Sequence, residues 1–158
     1  KMKYNNSNKN YSSNKSNKGY GKNKKGFIEK NEFLENINYF EEDGYVRADL
    51  FSEVAKSIVD YIKKGRGKIS SNQIRKFYEE VINLKEQLEN KKDFKMILPY
   101  FKMLKAKAHV AYQRDVINVN FKTFIEKNVD YVDDENKFKI FCTFFEAVVA
   151  YAKGTIKD

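Results

Sequence analysis

The chain is poor in the residues that most often build catalytic and metal sites. Its 158 residues include one cysteine, Cys142, one histidine, His109, one proline and no tryptophan. A single cysteine excludes an intrachain disulfide and a cysteine zinc cluster, and a single histidine excludes metal sites that need two imidazoles. We therefore expect neither a metal ion nor another cofactor.

Long apolar runs are also missing from the sequence. No stretch approaches the ~20 apolar residues of a membrane span, and the N-terminal residues contain no hydrophobic signal region. We expect a cytoplasmic protein without a membrane partner.

No constellation typical of an enzyme is present. The carboxylate cluster Asp133–Glu135 precedes an apolar run and is explained by helix capping. A helical ribonuclease of the HEPN type needs an arginine shortly before a histidine, whereas here His109 precedes Arg114. The sequence therefore predicts no catalytic residue.

Basic charge is abundant, and its distribution matters more than its sum. The net charge is +9, but residues 1–26 contain eight lysines and no acid, so they carry +8 and the remainder carries +1. Within the remainder, the stretch from Lys63 to Lys76 contains six cations and no acid, whereas the stretch from Glu29 to Asp60 is acidic. This segregation predicts a local anion-binding surface.

Composition divides the chain into three segments. Residues 1–26 form a Lys/Asn-rich low-complexity tail, which we expect to be disordered. Residues 27–43 fit an acidic strap or a short helix, and residues 44–158 fit a helical bundle domain. The predicted fold is all-α, a single bundle of about five helices. These helices are predicted at Arg47–Lys64, Ser70–Asn90, Asp93–Asp115, Asn120–Asp130 and from Asp133 or Asp134 to Lys153.

Local features refine the predicted helices. Ser70 and Gln73 fit a capping box, and Gly154 fits a left-handed C-cap. Pro99 predicts a kink or a restart early in the central helix, because proline has no N–H group to donate. The last helix is apolar on two nearly opposite faces, so it is either central to the bundle or exposed to a partner. For a chain this short we favour the partner.

The densest mix of cations and aromatics lies in the stretch LKAKAHVAYQR, which ends at Arg114. On a helix, Lys107 and Arg114 stack on one flank of the apolar arc, while Lys105 lies at the arc's edge with its ammonium group turned outward. Arg75 and Lys76 fall near the start of the preceding helix, where an anionic ligand would relieve the unfavourable helix dipole. From the pattern alone, a solvated basic flank remains an alternative.

Three blocks of sequence carry a family pattern. They are SSNQIRKF at Ser70–Phe77, LKAKAHVAYQR at Leu104–Arg114 and FCTFFEAVVAYAKG at Phe141–Gly154, and the last block is the most specific. In this order they resemble the small subunit of the type III-A CRISPR effector, the Csm complex, over about residues 43–154. Gln113 stands where the family often has glycine, and the basic tail has no counterpart in the pattern.

The resemblance implies an all-helical, non-catalytic subunit. Its partners would be target RNA and guide RNA (crRNA), the backbone and large subunits, and further copies of itself, and it would contact mainly the target-RNA backbone. Cations can hold phosphates there without reading bases. The motif residues implied for RNA binding are Arg75, Lys105, Lys107 and Arg114, with Lys68 and Lys76 added by proximity.

Helix orientation leads us to expect that the four motif cations converge on one surface. Two rival functions remain open. One is a protein–protein adaptor in a ribonucleoprotein without direct RNA contact, and the other is a free-standing RNA chaperone that binds through residues 1–26.

Separate acidic and basic segments also predict how copies associate. A body with opposite charge on different patches can associate head to tail, which forms a row rather than a closed dimer. We expect aromatic residues such as Phe40, Phe144 or Tyr151 at this contact.

Overall fold

The computed structural model describes residues 29–158, and within this range the chain is helical. The described residues form no β-strand, only an isolated bridge between Phe40 and Val46, so the predicted all-α fold is confirmed. The predicted tail, residues 1–26, lies outside the described range. The helices are α1 Glu32–Glu35, α2 Ala55–Lys63, α3 Ser71–Glu89, α4 Phe94–Gln113, α5 Val119–Tyr131 and α6 Glu135–Lys153, and a π-helical turn, Leu50–Val54, leads directly into α2.

Side-chain caps begin α3 and α6 where the sequence predicts them. The Ser70 Oγ atom accepts a hydrogen bond from the Gln73 N–H group at 3.2 Å, which starts α3. The Asp134 Oδ1 atom accepts one from the Lys137 N–H group at 2.7 Å, which starts α6. The carboxylate cluster before α6 therefore has the capping role expected of it.

One local prediction is wrong, and one of the two alternatives of a second prediction is excluded. Gly154 has φ −97°, in the right-handed region, because the chain continues as a tight turn in which the Ile156 N–H group bonds the Ala152 carbonyl at 2.8 Å and Ile156 is buried. α4 does not restart at Pro99 but runs through it. The carbonyl that loses its donor there belongs to Lys95, an exposed residue whose backbone water can bind.

α6 is the centre of the bundle. It packs against both α2 and α3, and Phe141, Phe144 and Phe145 on its two apolar faces are fully buried. The Phe124 ring of α5 lies with its centroid 5.3 to 6.3 Å from the centroids of these three rings. The expectation that the second face of α6 is left for a partner is therefore wrong.

The segment before α2 covers that second face. Phe33 of α1 and the fully buried Tyr39 lie 5.5 Å and 6.0 Å from Phe144, measured between ring centroids. The Tyr39 hydroxyl donates a hydrogen bond to Asn128 Oδ1 at 2.6 Å, and burial raises the pKa of Tyr39 well above its ordinary value. Because Phe144 is enclosed in this way, the prediction that it contacts another copy is wrong.

Candidate nucleic-acid interface

Three of the six predicted cations line one groove between α3 and α4. Lys76 lies near the start of α3, Lys107 lies in the second half of α4, and Arg114 caps the C-terminal end of α4. Met103 and Val110 add apolar surface, and the groove has a volume of about 550 Å³. We call this the α3–α4 groove. The predicted stacking of Lys107 and Arg114 on one flank of the helix is confirmed.

One carboxylate reaches the groove. Glu80 forms a salt bridge with Lys107, whereas Lys76 and Arg114 form none within residues 29–158. Three cations and one anion leave a formal charge of 3 − 1 = +2 on the lining. Because an exposed salt bridge contributes only about 0–1 kcal/mol, a phosphate can replace Glu80 as the partner of Lys107 at little cost.

Lys105 lies on the opposite flank of α4. Its ammonium group bonds the carboxylate of Asp130 in α5 at 2.6 Å, while Lys107 reaches α3. Positions two residues apart on a helix point about 200° away from each other. The expected convergence of all four motif cations is therefore incomplete, since neither Lys105 nor Arg75 lines the α3–α4 groove.

Lys68 and Arg75 lie close to the end of the groove, and both are paired. Lys68 forms a salt bridge of 3.4 Å with Asp115, the residue that follows Arg114. Arg75 lies 3.8 Å from the Glu79 carboxylate one turn along α3. Both cations are exposed, so they add to the basic end of the bundle, although each has a neutralising neighbour.

The C-terminal residues of the chain accept hydrogen bonds from free backbone N–H groups at the N-terminus of α3. The Asn72 N–H group donates to Asp158 Oδ1 at 3.1 Å, and the Ser71 N–H group donates to the Lys157 carbonyl at 3.3 Å. A carboxylate at this position offsets the unfavourable dipole that Arg75 meets near the helix start. An external anion is therefore not needed there, and no local pattern could have revealed this contact, which joins residues 86 apart.

Sequence reasoning missed an exposed apolar stripe on α4. Met96, Tyr100, Met103 and Val110 are 61, 67, 53 and 52 % exposed. These four residues recur at helical spacing, separately from the residues of the buried face of α4. This second apolar periodicity is the feature of the sequence that could have revealed the stripe. Exposed aromatic side chains beside cations can stack on nucleic-acid bases without sequence preference, so the stripe extends the chemistry of the groove.

No group of residues within the described part of the chain suggests catalysis. Cys142 is buried, and burial raises its pKa to about 12, so the thiol is protonated and unreactive at neutral pH. Within residues 29–158, no cluster of histidine, cysteine, aspartate and glutamate could hold a metal ion. No helix in that range is both long and apolar enough to cross a membrane.

Comparison with known proteins shows which family this chain belongs to. The family model described as Csm2 Type III-A matches residues 44–157, which contain the whole α3–α4 groove and α6. No curated protein and no solved structure matches the chain. The family match spans well over half of the sequence and agrees with the three sequence blocks. The chain belongs to the Csm2 family, the small structural subunits of the type III-A CRISPR effector complex.

Proposed function

We propose that the α3–α4 groove holds the backbone of target RNA, paired with its guide, in the type III-A effector. The observation that carries this proposal is the meeting of Lys76, Lys107 and Arg114 from two helices in one open groove with a single carboxylate. Guanidinium and ammonium groups bind phosphates whatever the base, which a subunit that serves any guide sequence requires.

The six predicted cations differ in what RNA must displace. Lys76 and Arg114 offer their charges directly, since neither has a salt-bridge partner within residues 29–158, whereas Lys107 must exchange Glu80 for a phosphate. Of the remaining three, Arg75 and Lys105 rest on the family resemblance and Lys68 rests on proximity. All three carry smaller expected effects, because each cation is already paired outside the groove. These three pairs are Lys68 with Asp115, Arg75 with Glu79 and Lys105 with Asp130.

The subunit is proposed to act by binding alone. The carboxylate cluster Asp133–Glu135 has a structural role, because Asp134 caps α6 and Asp133 forms a 2.9 Å salt bridge with Lys137. Purified subunit incubated with RNA or DNA and Mg²⁺ or Mn²⁺ should leave both intact. Cleavage that co-purifies with the subunit and disappears in Asp133→Asn would contradict this.

We further propose that copies stack head to tail beside the backbone and large subunits. The acidic stretch Glu29–Asp60 and the basic stretch Lys63–Arg114 supply patches of opposite charge, which favour a heterologous contact. Of the aromatic residues predicted at the contact, Tyr151 is 38 % exposed and Phe40 is half-buried. A structure of the assembled particle tests this, since an isologous pair or a lone copy would contradict it.

The RNA proposal is tested in the assembled effector with Lys76→Ala and Arg114→Ala, singly and together. Two targets of unrelated sequence, each with its matching guide, are titrated over a range of salt concentrations. Binding should weaken by the same factor for both targets, and the slope of log affinity against log salt should fall by about one per lost phosphate contact.

Lys95→Ala is the matched control. It removes the same charge from an exposed site at the other end of α4, about 28 Å from Arg114 along the helix, and it should leave affinity and slope unchanged. If the double variant binds both targets as the parent does, the subunit is an adaptor without RNA contact. If only removal of residues 1–26 abolishes binding, the tail-dependent RNA chaperone is the correct function.

A further inference from the structure

The loop between α2 and α3 is pinned to the start of α5. The amide nitrogen of Asn118 donates to the carbonyls of Ile62 and Gly65 at 2.7 and 3.4 Å, and the Val119 N–H group donates to the carbonyl of Arg66 at 3.3 Å. Asn118 is fully buried. We call residues 64–70 the basic loop; its backbone is held by donors from a separate element rather than by its own turns alone.

A second buried amide strengthens this attachment. The Asn120 side chain donates to the carbonyl of Tyr61, in the last turns of α2, at 2.6 Å. Asn120 is 3 % exposed, so this bond is shielded from water. Buried amides are retained in a core only when they are hydrogen-bonded, because an unmade bond costs about 1–3 kcal/mol. The end of α2, where the basic loop begins, is therefore held in place against α5.

Two glycines adapt the basic loop to this position. A Cβ atom on Gly65 would lie 2.8 Å from the side chains of both Asn118 and Asn120, so only glycine permits the close approach. Gly67 has φ +101°, a backbone conformation that other residues adopt at a cost. Sequence and packing thus specify one conformation of the loop.

The pinned backbone leaves a cation facing water next to the groove. Arg66 is exposed and forms no salt bridge within the described chain. Its neighbours are neutralised, since Lys64 pairs with Glu29 and Lys68 with Asp115, each at 3.4 Å. The Lys68 pair ties the loop to the residue after the groove's last cation, so Arg66 belongs to the same end of the bundle.

We propose that Arg66 is a further phosphate contact for RNA, beyond the end of the α3–α4 groove, and that Asn118 is its positioning residue. This inference rests on the proposed RNA-binding function. Arginine suits the task, because its planar fork donates two parallel hydrogen bonds to a phosphate. Fixing the loop in advance reduces the entropy lost when the arginine binds.

The test separates the charge of Arg66 from the position of its backbone. Arg66→Ala in the assembled effector should weaken target-RNA binding and lower the salt slope by about one. Gly65→Ala removes no charge but pushes the loop away from Asn118, and it should weaken binding in the same direction. Combined, the two changes should cost no more than Arg66→Ala alone, because both act through one contact.

Controls keep these outcomes distinct. Gly154→Ala introduces the same methyl group at a site with φ −97° and no atom within 4 Å, and it should bind RNA as the parent does. Incorporation into the particle is measured first by native mass. If Gly65→Ala does not incorporate, Asn118→Ser replaces it, since serine retains the cap on the Phe121 N–H group but lacks the amide donor.

Each contrary result has a definite meaning. If Arg66→Ala leaves affinity and slope unchanged while Arg114→Ala lowers both, this inference is wrong and the α3–α4 groove stands. If neither change has an effect, the proposed RNA-binding function falls as well. If the losses from Gly65→Ala and Arg66→Ala add in full, the pinned backbone does not act through Arg66, and the positioning role is wrong.

Discussion

α4 and α6 are nearly equal in length, with 20 and 19 residues, yet the fold uses them differently. α6 buries eight side chains spread over two faces, whereas α4 buries five on one face. The other side of α4 presents Met103, Val110 and Lys107 to solvent, next to Arg114 at the C-terminal end of the helix. Apolar content therefore does not identify the helix that meets a partner; what matters is whether another segment of the chain covers the second face.

The largest effect expected from this contrast is on stability. Phe144→Ala should lower the free energy of unfolding by about 3–5 kcal/mol, because the ring is fully buried against Phe33, Tyr39 and Phe124. Denaturant unfolding of the subunit measures the loss. A change of less than about 1 kcal/mol would mean that this face of α6 is not part of the core, and the contrast would fail.

Local sequence determines the helix starts and one flank of the candidate site. Ser70 and Asp134 act as caps through bonds to residues three positions later, and the periodicity of α4 is enough to put Lys107 and Arg114 on one side. The prediction for α6 failed for a tertiary reason. Its second face is covered by the distant segment that contains Tyr39, and no periodicity within α6 reports that cover.

The groove itself needed tertiary packing for the same reason. Lys76 lies beside Lys107 only because α3 packs against α4. Lys105 lies outside the groove and pairs with Asp130 in α5. The attachment of Asp158 to Asn72 joins distant parts of the chain. The sequence could select Lys105 and Lys107 through the family pattern and Lys76 by proximity, but it could not tell which of these cations share a surface.

The next effect concerns the covering segment. Tyr39→Phe should reduce the free energy of unfolding by about 1–3 kcal/mol, because it leaves the buried Asn128 oxygen without the hydroxyl that donates to it at 2.6 Å. Denaturant unfolding again measures the change. The exposed Tyr100→Phe on α4 is the control and should be nearly neutral. Equal losses from both changes would contradict a structural role for the covering segment.

Alkaline pH should lower the free energy of unfolding, because it ionises groups buried in the α6 core. Burial raises the pKa of Cys142 to about 12, so the unfolded chain releases its thiol proton first. The Cys142 contribution is then complete below the ordinary thiol pKa of about 8.5 and declines as pH rises toward 12, by up to about 1.4 kcal/mol per pH unit. Tyr39, whose pKa is also raised, adds to the loss above about pH 10.

Unfolding curves at a series of pH values check this dependence. Cys142→Ala should show a shallower decline in stability above pH ~8.5 than the parent chain, because the variant has no thiol to ionise. Parallel curves for the two proteins would contradict the assignment of the buried thiol.

The smallest stability effect is expected on α4. Met103→Ala should change the free energy of unfolding by no more than about 0.5 kcal/mol, since the side chain is 53 % exposed. The same variant should weaken target-RNA binding by the effector, because the methionine lines the groove. A clear loss of stability with unchanged RNA binding would make α4 a second structural helix and remove the contrast with α6.

The most direct test compares the two flanks of α4. Lys107→Ala and Lys105→Ala each remove one lysine that is paired with one carboxylate, two residues apart, on the α3 side and the α5 side of the helix. The measurement is the salt dependence of target-RNA binding by the assembled effector. We expect Lys107→Ala to lower the slope by about one and Lys105→Ala to lower it less. An equal or larger change for Lys105→Ala would contradict the assignment of the RNA surface to the α3–α4 groove.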